Sequence, residues 1–232
     1  MTKIIGESNY DLIIYGNLLL PEGFLYSPEF SLKNKIVLGY VNIGESTQLV
    51  TDAYVGGVKS YFGNLHPAFE NLHSVKYWVP EWWEIVKTQI DDQIAAGFDG
   101  IFLDVVDGFL YWQADNRMGN PVEESPEIKM SELVEKIRNY IDSKDLDKPF
   151  YLVGNNPGSL SLAVGSDILK NFDAVYSEAI AWVHSPTDAK TAIKVQTAQE
   201  QTDFQSRTYQ SSLVLGNDYP PLGGTTEILD AI

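Results

Sequence analysis

The segment Ala95-Ala96-Gly97-Phe98-Asp99-Gly100-Ile101-Phe102-Leu103-Asp104-Val105-Val106-Asp107-Gly108-Phe109 does most to limit what this chain can fold into. Gly97 stands where a helix C-terminus favours a left-handed residue. Ile101, Phe102 and Leu103 make the short apolar run of a strand covered on both faces. Asp104 comes where that strand should stop, and Asp107 follows three residues later. In parallel barrels the chemistry lies at the C-terminal ends of strands, so an acid there is a candidate functional group. A cap on the following loop accounts for a single acid equally well. The aromatic continuation Phe109, Tyr111, Trp112 favours a sugar-binding cleft.

Strand-like and helix-like segments alternate along the chain, as expected of a parallel α/β sheet. The apolar runs predict strands at Tyr10–Tyr15, Lys35–Val41, 100–104, Phe150–Gly154, Asp173–Ser177 and Leu213–Gly216. A helix opens at Pro80 and runs to about Ala96, with Trp83, Val86, Ile90 and Ile94 on one face. A second has Ser125 as its cap, Pro126 at its first position and a stripe of Met130, Leu133, Val134, Ile137 and Ile141. Further helices are expected at Pro28–Lys33, within 46–79, over Ser161–Lys170, over Thr187–Gln201 and from Thr225. The fold class expected is a (β/α)8 TIM-type barrel forming one domain over residues 1–232. Six strands are firm where closure needs eight. Lys3–Ile5 and Tyr77–Val79 are the candidates to fill the wall, and otherwise a gap is expected. An open edge of that kind invites self-association.

Composition excludes several function classes. The 232 residues carry a formal net charge of −16, which opposes binding to nucleic acid or an anionic membrane. The chain has no cysteine, so disulfides, thiolate catalysis and cysteine–zinc sites are excluded. His66, His73 and His184 do not follow a zinc spacing. No phosphate-binding glycine fingerprint and no Gly-x-Ser-x-Gly elbow is present, and no cofactor is expected. The opening Met1-Thr2-Lys3 lacks the long apolar segment of a signal peptide, and no apolar run has the length to span a bilayer.

Polar residues recur at the same end of successive strands: Glu45, Asp104 with Asp107, Asn155 with Asn156, Glu178, and Asp218. In a parallel barrel these positions converge on one rim. Paired carboxylates flanking a bond are the working parts of glycoside hydrolysis. Trp78, Trp82, Tyr111, Trp112 and Trp182 could supply ring faces for sugars; Trp82 and Trp83 also read as helix core, which the helical stripe favours for Trp83.

Val41-Asn42-Ile43-Gly44-Glu45, the block from Gly97 to Asp107, and Val175-Tyr176-Ser177-Glu178 resemble the endo-α-1,4-polygalactosaminidase family of glycoside hydrolases. Tyr77-Trp78-Val79 and Asn217-Asp218-Tyr219-Pro220 resemble further blocks of that family in the same order. The resemblance implies a (β/α)8 barrel, an extracellular setting and cleavage of α-1,4-linked, galactosamine-rich polysaccharide. It places the two catalytic acids at Asp104 and Glu178 and a substrate-binding glutamate at Glu45. The family's usual extra first strand, with its terminal aspartate, and its final strand have no counterpart here; Gly16 and Asn17 stand where an aspartate is common. The expected mechanism is retaining, with Asp104 as nucleophile and Glu178 as acid/base in an apolar setting of Ala179, Ile180, Ala181 and Trp182. Asp107, Tyr111, Trp112, Asn155, Trp182 and Asp218 join Glu45 as expected substrate contacts. The rival reading is a catalytically weak or inactive carbohydrate-binding barrel, and a barrel with unrelated chemistry is a third.

Overall fold

The computed structural model describes residues 11–16, 35–47, 59–165, 167–177, 182–184, 192–194 and 213–216. Eleven strands lie within them: β1 Leu12–Tyr15, β2 Ile36–Asn42, β3 Glu45–Thr47, β4 Phe62–Leu65, β5 Leu72–Val75, β6 Gly100–Asp104, β7 Tyr151–Asn155, β8 Ala174–Ser177, β9 Trp182–His184, β10 Ala192–Lys194 and β11 Leu213–Gly216. Three α-helices accompany them: α1 Pro80–Ala96, α2 Pro126–Asp142 and α3 Gly158–Val164. Short 3-10 helices cover Val106–Trp112 and Ile168–Asn171.

All six strands expected from the apolar runs are present and form one sheet in the order β1-β2-β6-β7-β8-β11. Every neighbouring pair is parallel. This is a curled barrel wall in which each strand lies beside the next sheet strand along the chain. Lys3–Ile5 and the segments after Gly216 lie outside the described residues, as do the expected helices at Pro28–Lys33 and from Thr225.

The two faces of the sheet carry different cores. Val37, Val41, Ile101, Leu103, Leu152 and Val175 point outward into a large cluster shared with α1 and α2. Leu38, Phe102, Val153 and Ala174 line the inner face, with Leu12, Ile14, Tyr40 and Tyr176 packed against them. The period-two alternation thus sorts each strand between helix packing and barrel interior.

Helix α1 starts at Pro80, has Glu81 in its first turn, and stops at Gly97, which has φ 91°. The Gly97 and Phe98 amides donate to the Ile94 and Gln93 carbonyls, which closes the helix with a left-handed cap. Its buried face is rotated from the expected stripe: Trp82, Ile85, Val86, Gln89 and Ile90 are buried, whereas Trp83 and Ile94 are half-buried. Trp83 packs edge-on against Tyr140 of α2, with ring centroids 5.6 Å apart. On α2 the expected stripe is wholly buried. Ser125 occupies the cap position, but through its carbonyl, which accepts from the Ile128 and Lys129 amides; its hydroxyl makes no cap bond.

Four further expectations are corrected. Tyr77–Val79 is a turn rather than a strand, because the Tyr77 hydroxyl donates to the Pro126 carbonyl at 2.7 Å and ties the segment to α2. The described parts of 46–79 hold no helix; they form an antiparallel sheet, order β3-β5-β4, inserted after β2. The helix over Ser161–Lys170 is cut at Gly165 (φ 61°) into the end of α3 and a 3-10 turn. Within Thr187–Gln201, Ala192–Lys194 is a strand paired antiparallel with Trp182–His184. No helix of the described residues is long and apolar enough to cross a membrane.

At Gly100 the wall is tight against backbone: an added Cβ would sit 2.2 Å from the Tyr151 carbonyl oxygen and 2.8 Å from its amide nitrogen. Both obstacles are backbone, so neither can rotate away. Gly100→Ala is therefore expected to cost about 1–3 kcal/mol of stability, read as a lowered thermal midpoint. An unchanged midpoint would mean that β6 and β7 do not approach this closely.

Candidate active site

The inner face of the sheet changes from apolar to polar at its C-terminal end. On β2 the inward series is Leu38, Tyr40, Asn42; on β6 it is Phe102, Asp104; on β7 it is Val153, Asn155. Asn42 lies directly beside Asp104 in the β2–β6 register.

Asp104 is fixed by three donors. The Tyr40 hydroxyl donates to Oδ2 in a short hydrogen bond, Asn155 Nδ2 donates to Oδ1 at 2.8 Å, and the Val105 amide donates to Oδ1 at 2.8 Å. Burial, reinforced by the neighbouring Asp104 carboxylate, holds the Tyr40 phenol well above its ordinary pKa, so it remains a donor at neutral pH. Val105 has φ 58°, in the left-handed region that a β-branched residue rarely enters. Strain at such a residue, next to an acid that ends a barrel strand, marks this loop as a functional candidate.

Glu45 enters the site through a side-chain-stabilised turn. Asn42 Oδ1 accepts from the Gly44 amide at 3.1 Å and the Glu45 amide at 2.8 Å. The turn also receives the Trp82 indole N–H on the Ile43 carbonyl at 3.0 Å. Glu45 is 6% exposed, and its Oε1 has no hydrogen-bond partner among the described residues. Burial pushes its carboxyl up to about 7; Asp104 acts in the same direction, and Tyr111, Arg117 and Asn42 oppose it. His66 Nε2 lies 4.0 Å from Glu45 Oε1. His66 Nδ1 accepts from the Ala68 amide at 3.1 Å, which assigns the proton of the neutral ring to Nε2. Burial and then the Arg117 charge lower the His66 pKa, so at neutral pH this contact is not an ion pair.

The segment after β6 closes the other side. Tyr111 is buried, and its hydroxyl accepts from Arg117 Nη2 at 3.0 Å. Asp107 is half-buried on the 3-10 helix, close enough for its charge to act on Tyr111. Asn120 ties this segment to the β3-β5-β4 sheet: it donates to Ser74 Oγ at 2.8 Å and accepts from the Asn64 amide at 2.7 Å.

The structure thus brings Asp104 and Asn155 into contact and gathers Glu45, Tyr111 and Asp107 beside them. Trp112 is 2% exposed and packs edge-on against Trp78, so it presents no open ring face. Trp82 is wholly buried, as the core reading had it. Glu178 and Asp218 lie outside the described residues; Trp182 starts β9, its side chain likewise outside. Tyr40, Asn42, His66 and Arg117 were not singled out in the sequence as site residues. The signal for Tyr40 and Asn42 was their two-residue spacing on the inward face of β2. No group of three or more His, Asp or Glu residues suited to a metal occurs among the described residues.

The raised Glu45 carboxyl has a consequence for stability. Between its ordinary value of 4.5 and about 7, the folded chain holds a proton that the unfolded chain has released. Stability from this group is therefore full below about 4.5 and is lost as pH rises through about 7, a change on the order of 3 kcal/mol. Glu45→Gln should remove this slope in denaturant titrations run from pH 4.5 to 8. An unaltered slope would show that Glu45 titrates normally.

Residues 27–221 match the sequence model of glycoside-hydrolase family GH114. An uncharacterised protein of Methanocaldococcus jannaschii is 31% identical over 161 residues, covering 66% of this chain and 45% of that protein. An uncharacterised protein of Thermotoga maritima is 32% identical over 130 residues, covering 53% and 39%. The chain spans less than half the length of these curated relatives. The glycoside hydrolase domain of PelA from Pseudomonas aeruginosa superposes with a TM-score of 0.66 at 17% identity, covering 94% of this chain and 80% of that one. Aspergillus fumigatus Ega3, solved in complex with galactosamine, superposes with a TM-score of 0.61 at 17% identity, covering 92% and 72%. These likenesses establish the fold as a TIM-type barrel. With its family match covering most of the chain, the protein belongs to glycoside-hydrolase family GH114, the polygalactosaminidase family that its motifs resemble.

Proposed function

We propose that this chain is an endo-acting glycosidase that cleaves α-1,4-linked, galactosamine-rich polysaccharide with retention of configuration. The observation that carries the reading is the anchoring of Asp104. Three donors address its carboxylate at the C-terminal end of a barrel strand, so its position is set before substrate arrives. Asp104 attacks the anomeric carbon, and the bond to the leaving oxygen breaks as that oxygen takes a proton from Glu178. The glycosyl ester on Asp104 is then released by water, whose proton returns to Glu178. Tyr40 stabilises the carboxylate as it is regenerated, and Asn155 keeps the carboxyl plane fixed.

The substrate class rests on family membership and on two supporting facts. The A. fumigatus relative is a galactosamine complex, and a chain of net charge −16 suits a partly deacetylated, cationic polymer. Glu45 serves binding: its unpartnered Oε1 beside Asp104 is an acceptor for a sugar hydroxyl or ammonium group.

Reducing-end release from partly deacetylated α-1,4-galactosaminan tests the reading. Asp104→Asn and Glu178→Gln should each lower turnover by about 10²–10⁴-fold with the fold intact. Tyr40→Phe should lower it by about 10–100-fold, the cost of one hydrogen bond to a charged group. NMR of the first product should show the α-anomer. Polymer binding without cleavage by the unaltered chain would replace this reading with that of a non-catalytic carbohydrate-binding barrel.

A further inference from the structure

Among the described residues the aromatic rings are nearly all buried or half-buried. Among the described residues the exposed large rings are Phe69, 61% exposed, and Tyr151. Tyr151 begins β7 and so lies at the opposite end of the barrel from Asp104. Phe69 lies in the β4–β5 connection, on the sheet inserted after the C-terminal end of β2. It is linked to the candidate site by direct contacts. Its ring lies against His66, with centroids 4.7 Å apart and planes tilted by 39°. His66 in turn faces Glu45, whose carboxyl feels the Asp104 charge.

We propose that Phe69 and Glu70 form an outlying sugar-binding subsite, on the far side of His66 and Glu45 from Asp104, that takes one amino-sugar residue of the polymer. The proposal rests on the glycosidase reading above and adds a position that neither the family motifs nor the sequence pattern assigned. Phe69 rests in a tilted contact on His66 and is 61% exposed, the arrangement in which an aromatic ring can cover the apolar face of a sugar. Glu70 is exposed on the same hollow, which is lined by Leu65, His66, Pro67, Ala68, Phe69 and Asn71 along with it. A carboxylate beside a stacking ring suits an amino sugar, whose ring stacks while its ammonium pairs.

The connection is also preorganised. The His66 amide donates to the Leu72 carbonyl at 2.7 Å, closing the loop at its base. The Ala68 amide is held by His66 Nδ1, and Asn71 at φ 61° turns the chain back into β5. A platform already fixed before binding spends little of the stacking energy on ordering itself.

The test compares KM and kcat of Phe69→Ala, Phe69→Trp and Glu70→Gln on galactosaminan chains of different length and acetylation. Phe69→Ala should raise KM for long chains about three- to tenfold with kcat held, and Phe69→Trp should restore it. The penalty should shrink on short oligosaccharides that cannot span both positions. Glu70→Gln should weaken use of deacetylated chains at low salt only, by up to about fivefold, as befits an exposed ion pair. A KM on long chains that Phe69→Ala leaves unchanged overturns the proposal. Affinity electrophoresis against a polysaccharide panel separates this from failure of the catalytic reading. Retardation without cleavage, lost in Phe69→Ala, leaves the subsite standing and removes the glycosidase assignment. No retardation by any polymer, or equal retardation of Phe69→Ala, removes the subsite.

Discussion

The close approach of Gly44 to Val105 is the constraint on which the candidate site depends. A Cβ on Gly44 would lie 2.7 Å from the Val105 carbonyl oxygen, and one on Gly108 would lie 3.1 Å from the Gly44 Cα. Two loops that follow different strands therefore touch through backbone, at spacings only glycine permits. Asn42 secures one side of this contact by accepting from the Gly44 and Glu45 amides. Asp104 secures the other by accepting from the Val105 amide and by offering its own carbonyl to the Ile43 amide at 3.1 Å. Val105 itself sits in a conformation that costs about 1–3 kcal/mol. The cost is tolerated because relaxing it would move the Asp104 carboxylate and the Glu45 turn together.

That arrangement gives two neighbouring carboxyls opposite environments. Asp104 is surrounded by donors, whereas Glu45 keeps one oxygen without a partner and is pushed up to about 7. A carboxyl pushed up by burial is a common feature of sites that must bind a ligand or carry a proton. The surrounding architecture enforces the difference. Tyr40 and Asn155 reach Asp104 from the two adjacent barrel strands and the Val105 amide from the turn that follows it, while His66 reaches Glu45 from the β4–β5 connection and Tyr111 with Arg117 from the segment after β6.

Much of the wall was legible because a strand covered on both faces must be apolar throughout. Ile101-Phe102-Leu103 and Leu152-Val153 stand out for that reason, and Gly97 marks the preceding helix end unambiguously. The same continuity hid Tyr40. In such an apolar run the inward face shows only through the two-residue spacing from Tyr40 to the polar Asn42, and without that step a phenol passes for core. The inserted sheet was unreadable for a different reason. Its strands are three or four residues long, rich in Asn, Ser, His and Gly, and paired across the chain rather than within an amphipathic repeat. Thr187–Gln201 misled in the opposite sense: its polar composition reads as a surface helix, whereas Ala192–Lys194 pairs with Trp182–His184.

Aromatic residues show where composition and chemistry part company. Trp82 follows a helical pattern and Trp112 comes eight residues after Asp104, yet packing claims both, because a large ring gains more from burial than from standing at a rim. Trp82 even spends its indole N–H on the Ile43 carbonyl, supporting the turn that carries Glu45. Phe69 lies outside any periodic stripe, amid Pro, Ala, Glu and Asn, and among the described residues it is the large ring left exposed near the site. Proximity in sequence to a candidate acid therefore says little about which aromatic stands exposed beside it. What decides is how far the surrounding segment buries the ring, and in the β4–β5 connection the His66 contact leaves Phe69 61% exposed.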